Sequence, residues 1–381
     1  MKNFSRRLQT IEEYVFSRLA KKVKEVEQKT GKKVLNLGPG SPDVPPHKEY
    51  LHELQKYIIQ PGNHMYPGYG ATPELNNAVI QWYKKRFNVY LKSDELFPIL
   101  GAKDGIVQLS STLLDKGDEV LIPDPGYPGF TGATKLFDAK PVYYPLTIKN
   151  NFTISIKELE KYITKKTKLI WVNYPSNPTG QVITEKELQL LVQFALSHGI
   201  WIAYDNAYSE ITFDGYTAPS ILKIKNAVNC AVEVGSFSKT FSFAGFRIGW
   251  IAGNKTLIQA FAKIKSNVDS GMTLPFQQLA TYALTHEKKS WHIKMIRIYE
   301  NRRKKISLLL NQLGLKYSLP KGSLYIWAEI PSFFQDSETY ALHLLESKQI
   351  LVTPGTAFGK EGKKYIRVSI CSDISLINTY I

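Results

Sequence analysis

Residues 231–252, AVEVGSFSKTFSFAGFRIGWIA, carry the reading on which the fold turns. Ala231–Gly235 is a short apolar run closed by glycine, as expected of a strand buried on both faces. A second apolar run, Ile248–Ala252, follows after only about a dozen residues. Parallel neighbours need a crossover, usually a helix with its loops, and the gap leaves little room for one. The second strand is therefore expected to run antiparallel to the first. Ser236, Lys239 and Arg247 stand in the gap among small and apolar residues.

Outward from this stretch, similar runs recur at Phe97–Leu100, Val120–Ile122, Val142–Leu146, Leu169–Asn173 and Ile200–Asp205. Amphipathic stretches such as Ile106–Leu114 and Glu185–His198 lie between them. This alternation predicts an α/β domain over 46–285, with a mostly parallel seven-stranded sheet flanked by helices. Residues 285–313 show a long basic helical pattern that reads as a spacer. Beyond it, strands are expected near Leu324–Ile330, Ile350–Thr353 and Tyr365–Ile370, with a helix over Glu338–Ser347. At the other end, 11–28 has apolar residues at helical spacing, Ile11 and Tyr14 among them, and Lys33–Gly38 reads as a short strand. A small α+β domain is expected, split between 1–45 and 286–381. The chain stops soon after Arg367, so any final helix is expected to be short or missing.

The 381 residues, 43% hydrophobic and 22% charged, exclude large-scale disorder. Two cysteines, Cys230 and Cys371, cannot form a disulfide framework or a cysteine-rich zinc site. The seven histidines show no paired ligand spacing, so no metal is expected. No apolar run reaches membrane length, the first residues lack a signal-type core, and a cytoplasmic protein without membrane contact is expected. The net charge is +16, but only nine of the 49 basic residues are Arg. Lysine in short scattered runs describes a solvated surface better than a nucleic-acid interface, and no nucleic-acid-binding signature accompanies it.

Ligands of open α/β sheets bind beyond the carboxyl ends of the strands. After the Phe97 run comes GAKDG (101–105), opening a helix whose free amides at Ala102 and Lys103 suit a phosphate, or only a tight turn. DPGYP (124–128) directs Tyr127, which can stack on a flat ligand or cap the core. NPTG (177–180) offers Asn177 as a ligand group or as a turn residue. DNAY (205–208) ends an apolar strand with Asp205, whose carboxylate needs a cationic partner there. Lys239, partly desolvated, has its pKa lowered towards neutrality, which suits a Schiff-base lysine but also occurs in an ordinary snorkelling one.

Taken together, these strand ends supply what pyridoxal 5'-phosphate requires. Lys239 forms the imine and Asp205 keeps the pyridine nitrogen protonated. Asn177 and Tyr208 hydrogen-bond the 3'-oxygen. Arg247, Ser236 and the Ala102 and Lys103 amides take the phosphate, and Tyr127 stacks on the ring.

In this order the motifs resemble the class I/II aminotransferases of pyridoxal-phosphate fold type I. The likeness covers LGPGSPD (37–43), YPGYGATPEL (66–75), GAKDG, DPGYP, NPTG, DNAY, SFSKTF (236–241), GFRIGW (245–250), KGSLYIW (321–327), TPGTAFG (353–359) and YIRVS (365–369). The resemblance implies that Arg367 grips the substrate α-carboxylate beside Asn177, and that Gly40 lies near the substrate. It implies that Tyr66 reaches the phosphate of a neighbouring subunit, hence a homodimer with shared active sites. The opening of the chain and KSNVDSG (265–271) look like the LL-diaminopimelate and alanine aminotransferase branches. Asn76 and Asn77 depart from the family pattern, which has Arg after the Leu. No Arg occurs between 248 and 296 to hold a second carboxylate; Lys263 and Lys265 could substitute but read as surface lysines.

The implied activity is ping-pong transamination between an L-amino acid and a 2-oxo acid, with Lys239 as general base and acid. The alternative is a carbon–sulfur β-lyase on the same fold. The Ser236-x-x-Lys239 spacing also occurs in penicillin-binding enzymes, but their Ser-Asp-Asn and Lys-Thr-Gly companions are missing.

Overall fold

The computed structural model describes residues 4–10, 15–372, 375 and 377. The first helix is described from Val15 to Thr30, so the expectations for Ile11 and Tyr14 lie outside the described residues, as does nearly all of the segment after 372.

After a two-residue strand β1 (Leu35–Asn36), the large sheet uses β2 (Leu96–Ile99), β3 (Glu119–Asp124), β4 (Lys140–Pro145), β5 (Thr167–Asn173), β6 (Trp201–Asp205), β7 (Ala231–Ser236) and β8 (Gly249–Gly253). Their order across the sheet is β2-β8-β7-β6-β5-β3-β4. Strand β8 runs antiparallel to both neighbours, and the remaining pairs are parallel. Glycine makes the reversal possible: a Cβ on Gly235 would lie 2.1 Å from the indole of Trp250, its register partner on β8.

The two faces of the sheet are filled by alternate residues of each strand. Leu121, Ile170, Val172, Ile202 and Tyr204 pack with Leu188, Leu191 and Val192 of the helix Glu185–His198. Val120, Ile122, Leu169, Trp171, Val232 and Val234 pack on the opposite side. There they meet Ile106 and Leu109 of the helix Ala102–Leu113, Phe130 of Pro128–Leu136, and Phe261 of Lys255–Lys265. Burial on both faces is why these strands read as unbroken apolar runs.

The C-terminal strands are β9 (Lys316–Tyr317), β10 (Tyr325–Glu329), β11 (Ile350–Leu351), β12 (Thr353–Pro354) and β13 (Tyr365–Ser369). Four of them form an antiparallel sheet in the order β12-β13-β10-β9, and β1 pairs in parallel with β11. The helix Lys289–Gln312 corrects the spacer expectation. Its Met295, Tyr299, Ile306, Leu309 and Leu310 sit in one core with Ile326, Ala328, Ile366 and Val368. Two of its charged residues, Arg302 and Arg303, lie on the packed side. Arg302 grips Asp43 bidentately at 2.6 and 2.7 Å, and Arg303 grips Asp214 at 2.8 and 2.7 Å.

Both cysteines are free and buried, and burial pushes each thiol up to about 11. Among the described residues no cluster of His, Cys, Asp and Glu could hold a metal, and no helix is long and apolar enough to cross a membrane.

Phe130 is fully buried and stacks on Trp171 at 4.7 Å, joining the helix Pro128–Leu136 to the sheet. Phe130→Ala is expected to lower the unfolding free energy by about 3–5 kcal/mol, read from urea denaturation. A loss of under about 1 kcal/mol would show that this helix contributes little to the core.

Candidate active site

A cavity of about 410 Å³ opens at the carboxyl ends of β5, β6 and β7, facing β10 and β13. It is lined by every residue expected at the site except Tyr66: Gly40, Ala102, Lys103, Tyr127, Asn177, Asp205, Tyr208, Ser236, Lys239, Arg247 and Arg367. Tyr66 is 87% exposed and does not line this chain's own cavity.

Asp205 closes β6 beside its register partner Asn173 on β5. The Asn173 amide donates to the Asp205 carbonyl at 2.9 Å, and its oxygen accepts the Asn177 N–H at 2.7 Å. One side chain thus sets both Asp205 and Asn177; the sequence analysis passed over it. The Asp205 carboxylate accepts the Ala207 N–H at 3.2 Å. Burial pushes its pKa up to about 6, against the pull of that N–H and of Lys239.

Lys239 projects from the single turn Phe237–Thr240 that follows β7. Its Nζ donates to the Gly40 carbonyl at 2.9 Å and lies 5.6 Å from the centre of the Tyr208 ring. Burial, chiefly, lowers its pKa from 10.5 to about 8, with Arg367 and Arg247 adding to the effect. The lowering expected from the sequence is therefore present.

At one end the cavity is built for an anion. Ala102 opens its helix after Gly101, whose φ is 82°, and the first amides point outward. Ser236, Ser238 and Arg247 converge there. Arg247 is held in the left-handed region at φ 57°, with Nη1 donating to the Ala244 carbonyl at 2.7 Å. A Cβ on Gly101 would sit 2.3 Å from Arg247 Nη2, so only glycine admits the guanidinium here. The helix is anchored from behind. Asp104 accepts the Leu100 N–H at 2.8 Å and pairs with Lys265 at 3.0 Å, and Lys265 also pairs with Asp269. Lys265 is buried, which corrects its reading as a surface lysine; Lys263 is exposed as expected.

At the other end Arg367 is almost wholly buried. It donates to Asn177 Oδ1 at 2.9 Å, to the Gly38 carbonyl at 2.7 Å and to Thr353 Oγ1 at 3.4 Å. Its guanidinium lies 4.2 Å from the Tyr325 ring centre and 4.7 Å from that of Phe358. Tyr325 and Phe358 line the cavity, yet sequence reasoning gave neither a role. Both lie within the quoted KGSLYIW and TPGTAFG motifs, which were the available signal. Tyr127 lines the cavity and also packs edge-on against Phe130 at 5.5 Å, as its core-capping reading expects.

An anion cradle, a buried carboxylate and a buried amine thus share one cavity. That donor set fits a flat molecule bearing a phosphate, a basic ring nitrogen and a carbonyl.

The family model described as aminotransferase class I and II matches residues 32–378. The LL-diaminopimelate aminotransferase of Dehalococcoides mccartyi is 37% identical, over 96% of this chain and 94% of that protein. The enzyme of the same name from Desulforudis audaxviator is 36% identical, over 96% and 93%. Among solved structures, apo-BacF from Bacillus subtilis superposes with a TM-score of 0.94 at 33% identity, covering 100% of this chain and 97% of that one. A Thermus thermophilus aspartate aminotransferase mutant superposes with a TM-score of 0.93 at 24% identity, over 100% and 98%, and speaks for the fold alone.

Lys239 bears on stability in the cofactor-free protein. Its pKa is lower folded than unfolded, so below about 8 the buried ammonium destabilises the fold. The penalty fades as pH rises from about 8 to 10.5. Lys239→Met should therefore be more stable than wild type at pH 7, by about 3 kcal/mol, and no more stable near pH 10.5. Urea unfolding at the two pH values checks this, and equal stability at pH 7 would contradict it.

Proposed function

The chain belongs to the class I and II aminotransferases and is a pyridoxal-phosphate-dependent transaminase, and we propose how its residues divide that work. The observation that carries the reading is the meeting of Lys239, Asp205 and Arg367 on one buried cavity. When bound, pyridoxal phosphate supplies an aldehyde that condenses with amines and a ring that withdraws electrons. Ser236, Arg247 and the amides of Ala102 and Lys103 would hold its phosphate. Asp205 would hold the proton of the ring nitrogen, Tyr127 would lie on the ring face, and Asn177 and Tyr208 would hydrogen-bond its 3'-oxygen.

Lys239 Nζ takes the substrate α-proton and returns it during the exchange. A pKa of about 8 suits this, because both protonation states are populated near neutral pH. Arg367 holds the α-carboxylate in a two-point grip with Asn177 alongside, which orients the α-C–H bond. Gly40 lines the cavity beside Lys239, where the substrate would lie. The amino acid leaves as a 2-oxo acid before a second oxo acid enters, giving ping-pong order. No finding favours the carbon–sulfur lyase alternative.

The protein acts, in this reading, as a cytoplasmic homodimer with a large domain over 46–285 and a split small domain. Exposed Tyr66 reaches the neighbouring subunit's phosphate site. The relatives' names put LL-diaminopimelate first among donors to test.

The deciding experiment is the visible spectrum of the purified holoenzyme before and after addition of single amino acids. Donors are expected to bleach the band without an acceptor present, and Lys239→Ala to lack it. A protein that takes up no cofactor would overturn the assignment of these residues. Arg367→Ala is expected to raise KM for the donor about 100-fold, the loss of a two-point charged contact. Mixing the inactive variants Tyr66→Ala and Lys239→Ala should restore part of the activity through hybrid dimers; no recovery would sink the shared-site claim.

A further inference from the structure

We propose that Tyr325 is a positioning residue of the transamination site, its hydroxyl aiming and strengthening that of Tyr208 and its ring carrying the Arg367 guanidinium. The inference rests on the roles of Lys239, Tyr208 and Arg367 given above.

Tyr325 begins β10 and is buried against the large sheet's ligand end. Its Oη lies 2.9 Å from Tyr208 Oη and 3.5 Å from the Gly40 carbonyl. A Cβ at position 40 would lie 1.8 Å from that Oη, so the phenol reaches this point only because residue 40 is glycine. The Gly40 carbonyl already receives the Lys239 Nζ at 2.9 Å. Each phenol has a single proton. The Tyr208 oxygen, at 2.9 Å against 3.5 Å for the Gly40 carbonyl, is the nearer acceptor for the Tyr325 proton. The Tyr208 proton then points into the cavity. A hydroxyl that accepts one hydrogen bond donates another more strongly, so Tyr325 makes Tyr208 a better donor to whatever lies before it.

Burial, the largest influence, keeps the Tyr208 proton in place by pushing its pKa well above the ordinary value. The charged groups facing the pair are Asp205 from β6, Lys239 from the turn after β7 and Arg367 from β13, while Arg247 and Cys371 act on Lys239. Tyr325→Phe alters none of them.

The ring has a separate task. It lies 4.2 Å from the Arg367 guanidinium and carries that charge on its face. Hydroxyl and ring can therefore be removed one at a time.

The test compares holoenzymes carrying Tyr325→Phe and Tyr325→Leu, with the pH titration of the visible band in the absence of substrate as one readout and kcat and KM as the others. For Tyr325→Phe, a weaker Tyr208 donor should move the band's midpoint up by about half a pH unit. It should lower kcat about tenfold and leave KM within about twofold. Tyr325→Leu should in addition raise KM about tenfold. A Tyr325→Phe enzyme with unchanged midpoint and kcat would overturn the hydroxyl's role, and equal KM values in the two variants would overturn the ring's. Phe keeps the volume of the ring, so misfolding of the Leu variant leaves the hydroxyl test intact. A band that survives in Lys239→Ala would instead overturn the reading of Lys239, a failure separate from that of Tyr325.

Discussion

A guanidinium removed from water has to be surrounded by acceptors, and the arrangement of this molecule follows from how Arg367 meets that demand. Its acceptors come from three places far apart in the chain: the Gly38 carbonyl, the Asn177 amide and the Thr353 hydroxyl. The N-terminal strand segment, the loop beyond β5 and the C-terminal sheet converge on it. All three are neutral dipoles, and they meet the two terminal nitrogens of the fork. Two aromatic faces, Tyr325 and Phe358, shield it further. A cation so prepared attracts a carboxylate strongly, and transaminases act on carboxylates.

The opposite end of the cavity follows the same logic with the sign reversed. Asp205 is a buried carboxylate whose one recorded hydrogen bond comes from a backbone N–H. Burial raises its pKa and lowers that of Lys239. Each group would gain from a ligand of complementary charge, and such perturbed pairs mark the places where chemistry occurs.

Much of this was legible in the chain. Strands buried on both faces announce themselves as apolar runs, and the residues closing those runs face the ligand. Hence Asp205, Ser236 and Lys239 could be found without coordinates. The antiparallel course of β8 was legible too, because a short connection forbids a crossover. What escaped depends on contacts between distant segments. Tyr325 matters through Tyr208 and Gly40, which stand 117 and 285 residues before it in the chain. Lys265, Arg302 and Arg303 read as solvated charge, since Asp104, Asp43 and Asp214, which meet them, lie far away in the sequence. Periodicity reports whether a face is apolar, not whether a charged face has found a partner.

The place of β8 in the sheet also bears on how the chain comes together. Strand β2 is made early, but its neighbour is β8, roughly 150 residues later in sequence. Until Gly249–Gly253 has been synthesised, β2 has no strand to pair with, and the edge of β7 is open as well. Such distant pairing carries a large loop-closure entropy and slows folding. A nascent chain therefore carries exposed, apolar strand edges for much of its synthesis, the condition in which aggregation competes with folding. The glycines at 235 and 249 that let the last strand slot in are thus as much a requirement of biogenesis as of the finished sheet.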